Sequence, residues 1–172
     1  MSLLDKIKDE MSGFEKLVAQ IPGYKGYKEK EQRREADRLL RDHIVSRMRT
    51  VKQQLDTLQT DLISAGKIGL LDEVGSAATQ IQTFIDRVRT ASYGYGGLFD
   101  AVRIEEDDLD RVYEFDAALV SYADRIEAAI SRAREGLEGE EIRSLILMIR
   151  DLAREANATL DERQDVLRGT AQ

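Results

Sequence analysis

The chain has no cysteine and no tryptophan, and it has a single histidine and a single proline. Without cysteine there is no disulfide framework, no thiolate metal site and no thiol nucleophile, a composition that suits a reducing compartment. With His43 as the lone imidazole, the usual histidine-based nucleophile and base pairs cannot be assembled. Long apolar runs are also missing. No stretch approaches the roughly 18 consecutive apolar residues that cross a bilayer. The first twenty residues, MSLLDKIKDEMSGFEKLVAQ, alternate apolar and charged side chains and lack the apolar core of a secretory signal. The expected location is therefore cytoplasmic. Excess positive charge is lacking too: the formal net charge is −7. General affinity for nucleic acid or anionic lipid depends on Lys and Arg neutralising phosphate, so neither is favoured. Integral membrane insertion is not expected, and peripheral membrane contact stays open.

What the chain does have is amphipathic helix. Its 172 residues, 42% apolar and 34% charged, suit one all-α domain spanning 1–172. Pro22 and clustered glycines punctuate it into five helices, at about 3–20, 29–64, 68–91, 106–135 and 139–167, with the last few residues frayed. The first carries Leu4, Ile7, Met11, Phe14, Leu17 or Val18, and Ile21 at three- and four-residue spacing, until IPGYKGY breaks it. The second carries Ala36, Leu40, Ile44, Met48, Val51, Leu55, Leu58 and Leu62 at nearly heptad spacing, which predicts a coiled-coil-like helix roughly 50 Å long. The third is marked by Leu71, Val74, Ala78, Ile81, Ile85 and Val88, with Gly75 a local weakness or a close-packing point. The fourth carries Leu109, Val112, Leu119, Ile126 and Ile130, opening on acidic residues that complement the helix dipole. The fifth contains SLILMI, apolar all the way round between Leu145 and Ile149, and is expected to be the most buried. Short connections predict an elongated, up-and-down antiparallel bundle with successive helices as neighbours.

Two loops rich in tyrosine and glycine, IPGYKGY and SYGYGGLFDAVRI, stand out from this frame. In the predicted topology they emerge at one end, bringing Tyr24 and Tyr27 near Tyr93, Tyr95 and Phe99. Such rings form either a ligand or partner platform or a plug for the bundle end. The run YGYGG lacks the Gly-Lys-Ser/Thr ending of a phosphate-binding loop. On the second helix, Arg34, Arg38, Arg41, Arg49 and Lys52 share the side opposite the apolar stripe. This basic strip suits an acidic partner or phosphate, or else a solvated face neutralised by Glu31, Asp42 and Asp56. The acidic cluster of Glu105, Glu106, Asp107, Asp108, Asp110, Glu114 and Asp116 does not follow the spacing of an EF-hand loop. A ferritin-like di-metal centre needs Glu-x-x-His pairs, and Leu40 stands three residues before His43. The context RDHIVSRMRT also lacks the motifs of histidine phosphotransfer domains. No metal or cofactor is expected.

An N-terminal amphipathic helix ahead of a long helix resembles the layout of phage-shock-protein-A-like and ESCRT-III-like membrane remodellers. The resemblance covers about the first 60 residues and rests on layout, and it implies a peripheral membrane-associated assembly protein. The polar face, however, mixes Lys6, Lys8 and Lys16 with Asp5, Asp9, Glu10 and Glu15. The leading expectation is a non-enzymatic interaction or scaffolding protein that works through protein contacts or self-association. Small-ligand binding or catalysis at the tyrosine loops is the other alternative.

Overall fold

A computed structural model of the chain describes Leu3 and residues 11–91 and 106–170. These residues form an all-α bundle: α1 (Gly13–Gln20), α2 (Arg33–Ser64), α3 (Leu71–Thr90), α4 (Glu106–Glu135) and α5 (Ile142–Thr170). Short 3-10 turns, Lys30–Gln32 and Ile68–Leu70, lead into α2 and α3. Leu3 is helical, and the expected first helix is broken before α1 begins at Gly13. Met11 and Ser12 lie outside it, and the Ser12 hydroxyl caps it by accepting from the Glu15 amide at 3.3 Å. Residues 4–10 of that expected helix lie outside the described residues.

The stripes do what their spacing requires. Leu40, Ile44, Met48, Val51, Leu55, Leu58 and Leu62 of α2 are all buried, as are Val74, Ala77, Ile81, Phe84, Ile85 and Val88 of α3. At the end of α2 the Gly66 and Lys67 amides bond the carbonyls of Ile63 and Leu62, at 3.1 and 2.8 Å, and the chain reverses into α3. A Cβ added at Gly75 would meet nothing within 4 Å, so this glycine faces open space rather than a close approach.

Running directions alternate from α2 to α5, as an up-and-down bundle demands, but lateral order does not follow chain order. Helix α2 packs against α3 and α4, and α5 packs against α3 and α4, so α3 and α4 face each other across the diagonal. Cross-helix pairs fix the register. Arg47 of α2 meets Asp124 and Glu127 of α4, and Asp61 meets Arg134, so α2 and α4 run parallel. Glu73 of α3 meets Arg143 of α5, and Arg87 meets Asp161, so those two also run parallel. Arg125 of α4 meets Glu155 of α5, and Arg132 meets Glu141 just ahead of α5, making that neighbouring pair antiparallel. The connection of 91–105 is long enough to span the diagonal, which a tight turn is not.

Helix α1 adds a fifth element against the N-terminal part of α4. Leu17 is fully buried there, and Gly13 lies so close to α4 that an added Cβ would stand 2.7 Å from the Tyr113 carbonyl oxygen. The Gly13 amide donates to Glu114 Oε1 at 2.7 Å.

Candidate functional site

The first tyrosine loop is a plug. Gly23 and Gly26 take positive φ, and the turn they allow sends Tyr24 and Tyr27 inward to 4% and 0% exposure. Tyr27 stacks on Tyr113 of α4 with ring centroids 5.5 Å apart and planes 6° apart. Tyr24 meets it edge-on at 6.1 Å, and Phe14 of α1 closes the cluster at 5.1 Å from Tyr113. The backbone is tied in as well: the Tyr27 amide donates to the Tyr113 hydroxyl at 2.7 Å, and Arg33 Nε donates to the Tyr27 carbonyl at 2.7 Å. At Gly26 a side chain is excluded, because a Cβ would come within 2.5 Å of the Tyr113 hydroxyl.

Beneath the rings lies a polar layer that sequence reasoning missed. The Tyr27 hydroxyl donates to Asp116 Oδ2 at 2.7 Å, and Arg163 Nε of α5 donates to Asp116 Oδ1. Asp37 of α2 stands 3.7 Å from Arg163 and accepts from Arg41 at 2.8 Å. Asp116 is fully buried and Arg163 is 3% exposed. Burial pushes the Asp116 carboxyl above its ordinary range, against the pull of Arg163 and Tyr27. The same burial disfavours the Arg163 guanidinium, but the charge of Asp116, then of the phenol and of Asp37, holds its pKa above the ordinary value. We read the two as an ion pair, since a guanidinium keeps its proton and a neutral Asp116 would leave it poorly compensated. Burial likewise raises Tyr24, Tyr27 and Tyr113, helped by the charge of Asp116.

The signal for this layer was present in the stripes. The residues at 109, 112, 116, 119, 123, 126, 130 and 133 step by three and four along α4, and Asp116 is the one polar member. Along α5 the same stepping, through 142, 146, 149, 153, 156, 160, 163 and 167, reaches Arg163. Asp37 stands one step before Leu40 on α2. Opposite charges at stripe positions on neighbouring helices of one bundle end are a readable pattern. Asp116 thus leaves the acidic cluster for the core. Among the described residues no group of three or more His, Asp or Glu side chains is arranged to hold a metal ion.

The remaining candidates lie on the surface or beyond the described residues. Tyr93, Tyr95 and Phe99 lie outside them. The end of α3 is nonetheless at the Tyr27 end, because Arg87 bonds Asp161, two residues before Arg163. Two members of the basic strip are paired within α2: Arg38 bridges Glu35 at 2.6 Å and Asp42 at 3.1 Å, and Arg41 turns toward Asp37. Arg34 and Arg49 are exposed and Lys52 is half-buried. His43 is half-buried, and burial together with Arg47 lowers its pKa against the opposing charge of Asp124.

A partly apolar surface with no marker in the sequence lies between α4 and α5 on their outward side. SLILMI does not bury all round: Leu145, Ile146 and Ile149 face the core, while Leu147 is half-buried and Met148 is 45% exposed. These last two line a recess of about 740 Å³, with Ala128 of α4 and Leu152 of α5 beside them. A second recess of about 510 Å³ lies further along the same two helices, where Phe115, Ala118 and Thr159 form its floor. Between them Tyr122 bonds Thr159 at 2.9 Å, and Arg125 lies over the Tyr122 ring while pairing with Glu155.

No protein-family model, curated protein or solved structure matches the chain. Among the described residues no helix is long and apolar enough to cross a membrane.

Proposed function

We propose that this protein is a non-enzymatic helical interaction module that works through protein contacts on the outward face of α4 and α5. The carrying observation is the apolar run Leu145–Ile149, three of whose five residues are spent on the core while Met148 is exposed and Leu147 half-buried beside a recess. A helix apolar on every side belongs in an interior, so its uncovered side calls for a partner surface. The rings of Tyr24 and Tyr27 are consumed by packing, while Lys25, Lys28, Phe14 and Tyr113 line a recess of about 520 Å³ beside that loop. The shared Leu17 and Gly13 contacts of α1 with α4 favour packing over lipid for that helix.

The test combines solution mass with site-specific capture. Light scattering over a concentration series distinguishes a 19.5 kDa monomer from a self-assembly that Met148→Asp disrupts. A photo-crosslinking residue at position 148, compared with one at position 52, reports contact with other proteins in the cell. A concentration-independent monomer whose position 148 captures no more than position 52 would refute the reading.

A further inference from the structure

Helices α2 to α5 form a closed ring in which each packs along two neighbours, whereas α1 packs chiefly on α4. Residues 12–27, the Ser12 cap with α1 and the tyrosine turn, are thus added to a bundle that closes without them. Residues 28–32 join this segment to α2 and are exposed apart from half-buried Gln32.

The layer beneath the segment is unlike the rest of the core. Among the described residues the buried polar and charged side chains are Arg33, Asp37, Asp116, Asn157 and Arg163. All but Asn157 gather at the base of the segment: Arg33 holds the Tyr27 carbonyl, Asp116 accepts from the Tyr27 hydroxyl, and Arg163 joins Asp116 to Asp37. Toward the other end of α2, Leu55, Leu58 and Leu62 fill the interior instead. Water entering an apolar layer is unfavourable, but it restores to a buried ion pair the solvation that each charge gave up. Asp37 Oδ1 stands to gain from it, since it makes no hydrogen bond and lies 3.7 Å from Arg163. The hold on the segment is compact: the side chains of Leu17, Ile21, Tyr24 and Tyr27, with the Gly13 and Tyr27 amides bonded to Glu114 and to the Tyr113 hydroxyl. Lifting it exposes these few apolar groups and hydrates a charged layer, whereas separating α2 to α5 exposes their full stripes.

We infer that residues 12–27 form a hinged cap, which opens as one unit about residues 28–32 and leaves α2 to α5 folded. The closed form withholds Tyr113 and the Asp37–Asp116–Arg163 layer from solvent, and the open form presents them. This conformational device involves a different part of the bundle from the outward recess at Met148 and stands whether or not that recess meets a partner.

Because the chain has no cysteine, engineered thiols report the opening. Ile21→Cys places one in the cap and Ile81→Cys makes the same change in the α3 core, at positions 3% and 0% exposed. In the absence of denaturant the thiol at position 21 should react with an aromatic disulfide reagent at least about hundredfold faster than the thiol at 81. Adding Leu62→Ala, in the bundle away from the cap, should speed labelling at 81 by about thirtyfold or more and leave labelling at 21 within twofold. Native-state hydrogen exchange of the unaltered chain gives an independent reading. The hydrogen-bonded amides of Ile21, Tyr24 and Tyr27 should share one opening free energy, lower than that of the α2 and α3 core amides and with a shallower urea dependence. Helical circular dichroism verifies each variant, and the exchange result decides alone if Leu62→Ala does not fold. Equal labelling at 21 and 81, equal acceleration of both by Leu62→Ala, or cap amides that exchange together with the α2 and α3 core would place the segment inside the global unfolding unit and overturn the inference. Cap amides with unrelated opening free energies and no urea dependence would show residue-by-residue fraying, which also overturns it.

Discussion

Replacing Asp116 by leucine is the sharpest test of how the bundle end is held. The substitution takes the acceptor from the Tyr27 hydroxyl at 2.7 Å and the partner from Arg163 Nε. Arg163 stays buried, with Asp37 at 3.7 Å as its remaining carboxylate, and Asp37 is already shared with Arg41. Breaking a buried pair by removing one partner typically costs about 3–5 kcal/mol, because the survivor is a desolvated charge. Against a total stability of about 5–15 kcal/mol this is a large fraction. With a urea dependence near 2 kcal/mol per molar, the midpoint should fall by about 2 M. Adding Arg163→Met removes the stranded charge and should recover most of the loss, leaving about 1–3 kcal/mol for the Tyr27 hydroxyl, which has lost its Asp116 acceptor. A further Tyr27→Phe should recover that too. Urea unfolding followed by helical circular dichroism reads all three proteins. A single-variant cost under about 1 kcal/mol, or a double variant no more stable than the single, would refute the argument that the charge pair governs this layer.

Other perturbations probe separate parts of the structure. Tyr24, Tyr27 and Tyr113 have raised pKa values in the fold, so unfolding releases their protons above pH 10. Their contribution is complete below pH 10 and is lost as pH rises, with a slope of about 1.4 kcal/mol per pH unit for each proton released. Unfolding midpoints from pH 9 to 11 should fall, and Tyr27→Phe should flatten the slope. Gly13→Ala forces a Cβ onto the Tyr113 carbonyl; hydrogen exchange should speed in α1 while α2, α3 and α5 keep their protection. Asn157 donates to the Gln80 carbonyl at 3.0 Å and accepts from Arg87 at 3.1 Å, so Asn157→Ala should cost about 1–3 kcal/mol, seen as a lower thermal midpoint. Arg38→Ala, on the solvent face, should leave the urea midpoint unchanged.

The order of helices and the identity of the core were legible in the sequence because a three- and four-residue repeat encodes which side of a helix avoids water. The breaks at Pro22, Gly66 and Gly136 were legible for the same local reason, since backbone freedom is a property of the residue itself. Even the buried ion pair was written into the stripes, at Asp37, Asp116 and Arg163, although nothing in one helix says which charge will meet it. Lateral order was not legible. Periodicity gives each helix a wet and a dry side but does not say which neighbour each dry side meets, and a connection of 91–105 permits either an adjacent or a diagonal return. The burial expected of SLILMI fell short for a related reason: an all-apolar turn satisfies any burial, and only the positions of α3 and α4 left Met148 facing water. Sequence alone therefore determined five amphipathic helices and their dry sides, through local backbone and side-chain chemistry. Tertiary packing alone decided which charges became a core layer and which apolar residues remained to meet a partner, because both depend on contacts between helices far apart in the chain.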